Sequence, residues 1–218
     1  MMIRSLSSEF IGTAFLLIGV VGSGIMAETL SDGIIALALL ANAIATGCIL
    51  FALITVLGPI SGAHFNPAVT FAFLLRGDIA VITALSFIVV QITGGLCGVW
   101  ASHVMFDIDI FQISTTMHRT GTAQWFAEII ATFGLLFVIF GGLRFRPEAI
   151  PALVGLYITG AYWFTASTSF ANPAVTIARG FTDTFAGIYP GHIVAFILAQ
   201  LIGVAVAHII LRPLFAAE

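Results

Sequence analysis

The chain has 218 residues, of which 60% are apolar and 8% charged, against roughly 25% charged in an average soluble domain. An ordinary soluble domain is therefore excluded, and a mean hydropathy of +1.16 leaves room for about six spans of roughly 20 residues with no soluble domain beside them. The seven basic residues are all Arg and the net charge is −3, so there is no basic patch and nucleic-acid binding is excluded.

The chain opens Met-Met-Ile-Arg and runs into an apolar stretch without a small-residue cleavage site. No removable signal peptide is expected, and the first helix doubles as the targeting signal. Apolar runs bounded by Gly, Pro, Asp or Arg predict spans near residues 8–27, 33–57, 79–104, 123–143, 150–168 and 188–211. Six spans put both termini on one side. With that side cytoplasmic, Arg4, Arg76, Arg144, Arg146 and Arg212 are inside, and Arg119 and Arg179 are outside. This is the bias expected of a membrane protein with both termini cytoplasmic.

Cys48 and Cys97 lie in separate apolar stretches, and His64, His103, His118, His192 and His208 show no ligand spacing with them. The expectation is buried thiols, no disulfide and no metal. Nothing resembles a phosphate-binding Gly loop or a nucleophile with a base, so neither an enzyme nor a cofactor is expected.

Two loops interrupt the spans, at 58–78 on the inside and 169–187 on the outside. The first contains Ser61-Gly62-Ala63-His64-Phe65-Asn66-Pro67-Ala68-Val69-Thr70, and the second Ser167-Thr168-Ser169-Phe170-Ala171-Asn172-Pro173-Ala174-Val175-Thr176. Asn-Pro-Ala-Val-Thr thus occurs twice, on opposite faces. Glu9 with Gly12 and Thr13 opens the first half as Glu128 with Ala131 and Thr132 opens the second, and Gln91 parallels Gln200. The chain reads as one domain over 1–218, an inverted duplication of about 1–110 and 111–218.

After each motif come about ten mostly apolar residues, enough for about 15 Å of helix, half a bilayer. Asn66 and Asn172 are preferred N-caps, and Pro67 and Pro173 stand at the favoured first helical position, followed by Ala68 and Ala174. Each loop should enter the membrane and return as a half-helix, with the two N-termini meeting near the midplane. Unwound backbone is tolerated there only where it lines a cavity, so the motif implies a pore. Each Asn can cap its helix through its carbonyl and offer its NH2 to a passing oxygen. Gly62, Ala63, His64, Thr168, Ser169 and Phe170 would present backbone carbonyls. Two facing N-termini oppose cations and disfavour a proton wire, so neutral polar solutes are the natural cargo.

At this point the chain resembles the aquaporin and aquaglyceroporin (major intrinsic protein) family over essentially its whole length. The resemblance implies an all-α bundle of six transmembrane helices with two re-entrant half-helices, one pore per protomer and a homotetramer in the lipid bilayer. It also implies that Glu9 and Glu128 accept hydrogen bonds from the re-entrant loops and that His64 braces its loop; a proton relay through the two Glu is the other reading of buried acids.

The family has a second constriction outside the Asn pair. Ungapped counting from the motifs places it at Thr46, Gly160, Ser169 and Val175. Water channels resemble Phe, His, a small residue and Arg there, and glycerol channels keep the Arg. Here that position is Val175, and the nearest Arg, Arg179, reads as a loop or helix-end residue. The expected filter is wide and lacks Arg, passing water with glycerol, urea or metalloid hydroxides such as arsenous acid. A bacterial subset associated with arsenic resistance is similar in having Val at the Arg position and in Thr176-Ile177-Ala178-Arg179, which implies arsenite or methylated arsenicals as cargo. A strict water channel and an ion-coupled secondary transporter are the alternatives, the latter because inverted repeats with broken helices are also transporter architecture.

Overall fold

The structure, a computed structural model, describes residues 2–216. Its helices are α1 (Met2–Leu17), α2 (Ser23–Leu30), α3 (Ile35–Ser61), α4 (Pro67–Arg76), α5 (Val81–Met105), α6 (Thr122–Phe145), α7 (Ile150–Phe164), α8 (Pro173–Arg179) and α9 (Ile193–Leu214). A π-helical turn at Ile18–Gly22 joins α1 and α2 into a single rod, Met2–Leu30. Among the described residues five helices are long and apolar enough to cross a bilayer: that rod, α3, α5, α6, and α9 with the turn before it.

The sixth, α7, has 15 residues, about 22 Å of helix against a hydrocarbon core of about 30 Å. A 3₁₀ turn at Pro147–Ala149 extends it at one end. At the other it stops at Phe164, short of the expected 168, because Thr165 is already extended. The half-helices α4 and α8 have 10 and 7 residues, each with Asn at the N-cap and Pro next to it.

The first half consists of α1 to α5 and the second of α6 to α9. Within the halves α1 lies along α5 and α6 along α9, and between them α3 meets α7. Each half-helix also packs on the last helix of the other half, α4 on α9 and α8 on α5. Close approach depends on missing side chains, as at small-residue contacts between membrane helices generally. A Cβ on Gly94 or Gly98 of α5 would overlap the backbone carbonyl of Phe10 or Ala14 of α1, and one on Gly203 of α9 would sit 2.8 Å from Ile129 O of α6.

Cys48 and Cys97 are free and exposed on the outside of the bundle. This corrects the expectation of buried thiols. Lipid is as apolar as the protein interior, so hydropathy alone does not tell an inward face from an outward one.

On the side opposite the termini, segment 106–121 is pinned to segment 180–189. The Asp183 carboxylate accepts from Thr115 N (2.9 Å) and Oγ1 (2.6 Å) and from Thr116 N (3.1 Å) and Oγ1 (2.8 Å). Buried His103 links Ile110 O (2.7 Å) to Thr182 Oγ1 (2.9 Å). The Thr115 and Thr116 donors hold the Asp183 carboxyl well below the usual carboxylate range.

Two predictions follow from this packing. Gly98→Val should destabilise the solubilised protein by about 1–3 kcal/mol or more through overpacking, whereas Gly58→Ala, which meets open space, should be neutral or raise stability by up to about 1 kcal/mol; thermal unfolding in detergent measures both. Because the folded pKa of Asp183 is depressed, its contribution is complete above the unfolded value of about 3.9 and is lost only as pH falls through the lower folded value. Amide exchange of segment 106–121 should therefore be insensitive to Asp183 titration near neutral pH and accelerate in Asp183→Asn.

Candidate functional site

The two loops before α4 and α8 run through the interior of the bundle, where each peptide N–H without a partner would cost several kcal/mol. Two buried carboxylates supply the partners. Glu9 on α1 accepts from His64 N (3.0 Å) and Ser61 Oγ (2.6 Å) through Oε1, and from Phe65 N (2.7 Å) and Gln91 Nε2 (2.8 Å) through Oε2. Glu128 on α6 accepts from Phe170 N (2.9 Å) through Oε1, and from Ala171 N (2.9 Å) and Gln200 Nε2 (2.6 Å) through Oε2. Gln91 and Gln200 donate onward to Thr70 and Thr176, the last residues of the two motifs, at 2.9 Å each. His64 bonds Thr70 Oγ1 through Nδ1 (3.1 Å) and stacks on Phe73, its centroid 4.5 Å away.

The backbone repeats as closely as the bonds do. Positive φ occurs at Gly62, Ala63 and Phe65 in the first loop and at Thr168, Ser169 and Ala171 in the second, the same offsets from Asn66 and Asn172. Only Gly62 is free of a Cβ penalty there; the others hold a strained left-handed conformation, which persists only where surrounding bonds over-determine it.

Asn66 Oδ1 accepts from Ala68 N (2.8 Å), and Asn172 Oδ1 from Ala174 N (3.0 Å) and Val175 N (3.3 Å). The amide nitrogens cross: Asn66 Nδ2 donates to Ala171 O (2.7 Å) and Asn172 Nδ2 to Phe65 O (2.8 Å). Each half-helix cap is thus tied to the opposite loop. A primary amide has two N–H groups, so each Asn keeps one beyond this cross-link.

A cavity of about 110 Å³ passes the Asn pair. One wall is loop: Gly62 to Asn66, with Ser169, Phe170 and Asn172. Much of the remaining lining is aliphatic, including Leu50, Ile54, Leu135, Ile139, Val154 and Ile158. Thr168, expected to offer a carbonyl, does not line this cavity, although its neighbours Ser169 and Phe170 do.

Of the four expected constriction residues, Thr46, Ser169 and Val175 line the cavity and Gly160 does not. Gly160 is exposed on the outer face of α7, and Ile158 and Tyr162 take the inner face. Gly160 lies two residues from each of them, and two residues on a helix point to nearly opposite sides. Tyr162 OH and Thr46 Oγ1 are hydrogen-bonded at 3.1 Å. Ser169 Oγ is buried without a protein partner.

Arg179 is the last residue of α8, as expected from sequence, but it is 2% exposed and lines the cavity. Its guanidinium lies 3.5 Å from the Phe170 ring centroid, and its Nε donates to Ala186 O. The signal was present in the spacing: Arg179 is four residues after Val175, hence on the same face of α8. Tyr162, in contrast, had no sequence signal, since nothing in an apolar helix marks its rotation.

The major intrinsic protein family model matches residues 1–166, stopping before the second motif, whose equivalence to the first rests on the geometry above. Aquaglyceroporin AqpS from Rhizobium meliloti (strain 1021) is 51% identical over 209 residues, 96% of this chain and 89% of that protein. Probable aquaporin PIP2-6 from Oryza sativa subsp. japonica is 33% identical over 167 residues, 71% of this chain and 59% of that protein. In fold, the chain is similar to the X-ray structure of the aquaglyceroporin from Plasmodium falciparum, with a TM-score of 0.78 at 22% identity over 99% of both chains. The chain is an integral membrane protein with the aquaporin fold and belongs to the major intrinsic protein family.

Proposed function

We propose that the protein is a passive channel for water and small uncharged solutes such as glycerol. The observation that carries this reading is the pair Asn66 and Asn172, each bonded to the opposite loop and lining a cavity whose other residues include loop backbone and aliphatic side chains. Such a lining lets a polyol exchange hydroxyl contacts with the loops while its carbons meet the aliphatic side chains. In this reading the carbonyls of Gly62, Ala63, His64, Ser169 and Phe170 continue the polar track away from the Asn pair. Family membership and the glycerol channel named among the relatives support it.

The proposed constriction is Thr46, Tyr162, Ser169, Val175 and Arg179. Three hydroxyls and a guanidinium face Val175 and Ile158, an amphipathic aperture that suits glycerol, urea or the trihydroxides of metalloids, with arsenous acid and methylated arsenicals as the finer assignment. Arg179 restores, from one turn further along α8, a fixed positive charge that opposes cations. The sidedness follows the charges: Arg4, Arg76, Arg144, Arg146 and Arg212 are exposed on the terminal side, while Arg119 and Arg179 opposite are turned inward. This favours termini in the cytoplasm. The family resemblance further suggests a homotetramer.

Proteoliposome stopped-flow measurements test the channel: osmotic water efflux and isotonic swelling in glycerol, urea and arsenous acid should both exceed protein-free vesicles, without dependence on a proton or sodium gradient. Water flux alone would reduce the protein to a strict water channel. Val175→Arg adds a second guanidinium beside Arg179 and should lower glycerol flux by about ten-fold, equivalent to about 1.4 kcal/mol of barrier, with a smaller loss for water. Unchanged selectivity in the inserted variant would move the constriction elsewhere. Glu9→Gln places an amide donor against loop N–H groups and should lower the melting temperature while slowing all solutes alike; accumulation against a gradient in wild type, abolished by Glu9→Gln, would instead establish an ion-coupled transporter.

A further inference from the structure

At the mouth opposite the termini, two arginines from different segments converge on one aromatic ring. Arg179 Cζ lies 3.5 Å and Arg119 Cζ 5.3 Å from the Phe170 ring centroid. Their hydrogen bonds go to neutral carbonyls: Arg119 Nε to Gly187 O (2.9 Å), Arg119 Nη2 to Phe185 O (3.3 Å) and Arg179 Nε to Ala186 O. Each guanidinium has five N–H groups, and these three bonds leave most of them without a protein acceptor.

No carboxylate is in ion-pair contact with either group; Glu128 acts on both only through space, its oxygens engaged by Phe170 N, Ala171 N and Gln200 Nε2. Among the described residues the one ion pair is Arg76 with Asp78, on the terminal side. Asp183, the acid nearest to Arg179 in sequence, has both oxygens engaged by Thr115 and Thr116. Two like charges held together in a partly buried mouth with no carboxylate in direct contact are unfavourable, and charge-assisted bonds to an oxyanion would relieve this strongly. Ser169 Oγ, buried and unpartnered, is a further donor lining the cavity that Arg179 also lines.

We propose that Arg119 and Arg179 form an anion site that takes one small monovalent oxyanion, and that occupancy obstructs the mouth. Binding is independent of the channel reading above; only the obstruction rests on it.

The test uses nitrate as probe and gluconate, too bulky for the site, as control at equal ionic strength. The melting temperature of the purified protein in nitrate, relative to gluconate, should be higher for wild type than for Arg119→Gln, a difference that cancels general salt effects. Water flux with nitrate on the outer side should fall by about half when nitrate equals its Kd, and this response should vanish in Arg119→Gln. Where that variant does not fold, Arg119→Lys, which keeps the charge and loses the planar fork, should respond more weakly than wild type. Equal nitrate responses in wild type and variant, or none in wild type, overturn the site. Failure of the channel reading looks different: no flux above empty vesicles in either salt, with the melting response intact.

Discussion

A loop that enters a bilayer and returns leaves peptide N–H groups that bulk water does not reach, and the rest of this architecture depends on how they are satisfied. Glu9 and Glu128 each accept two consecutive loop N–H groups and one Gln amide. A carboxylate suits this position because it accepts only, on two oxygens, so it can face a cluster of donors without a competing donor of its own. The bonds are charge-assisted and correspondingly strong. In that setting the two acids are structural anchors, each with its oxygens committed to the protein.

With the loops held, strained backbone becomes affordable. Left-handed conformations at Ala63, Phe65, Thr168, Ser169 and Ala171 re-aim successive peptide units and leave Phe65 O and Ala171 O where the opposite Asn side chains can reach them. The cross-link in turn fixes both helix caps at one depth. Anchor, strain and cap therefore form a chain of dependence: removing the carboxylate leaves the positive φ values without support, and without them the two Asn do not meet.

Val175 and Arg179 lie one helical turn apart on the same face of α8 and both line the cavity, with Arg179 turned inward over Phe170. Its placement depends on the pinned outer segments, because Ala186 O, its acceptor, belongs to the stretch that Asp183 and His103 hold against segment 106–121. Arg119 reaches the same stretch from the other side. The mouth is thus assembled from two stretches distant in sequence, 106–121 and 173–189, and its electrostatics belong to their packing.

Much of this was legible in the residues alone. Composition fixes a membrane bundle because hydropathy measures the environment of a whole segment. The repeated Asn-Pro-Ala-Val-Thr fixes two capped half-helices, because capping is local. The paralleled Glu and Gln positions mark the braces, since an uncompensated acid in a span needs partners. What the residues did not determine is rotation and register: that Tyr162 and not Gly160 faces the cavity, and that Cys48 and Cys97 face outward. In lipid both faces of a helix are apolar, so the pattern that reveals the inward face of a soluble helix is absent, and only packing of the helices against one another decides which side chains reach the cavity.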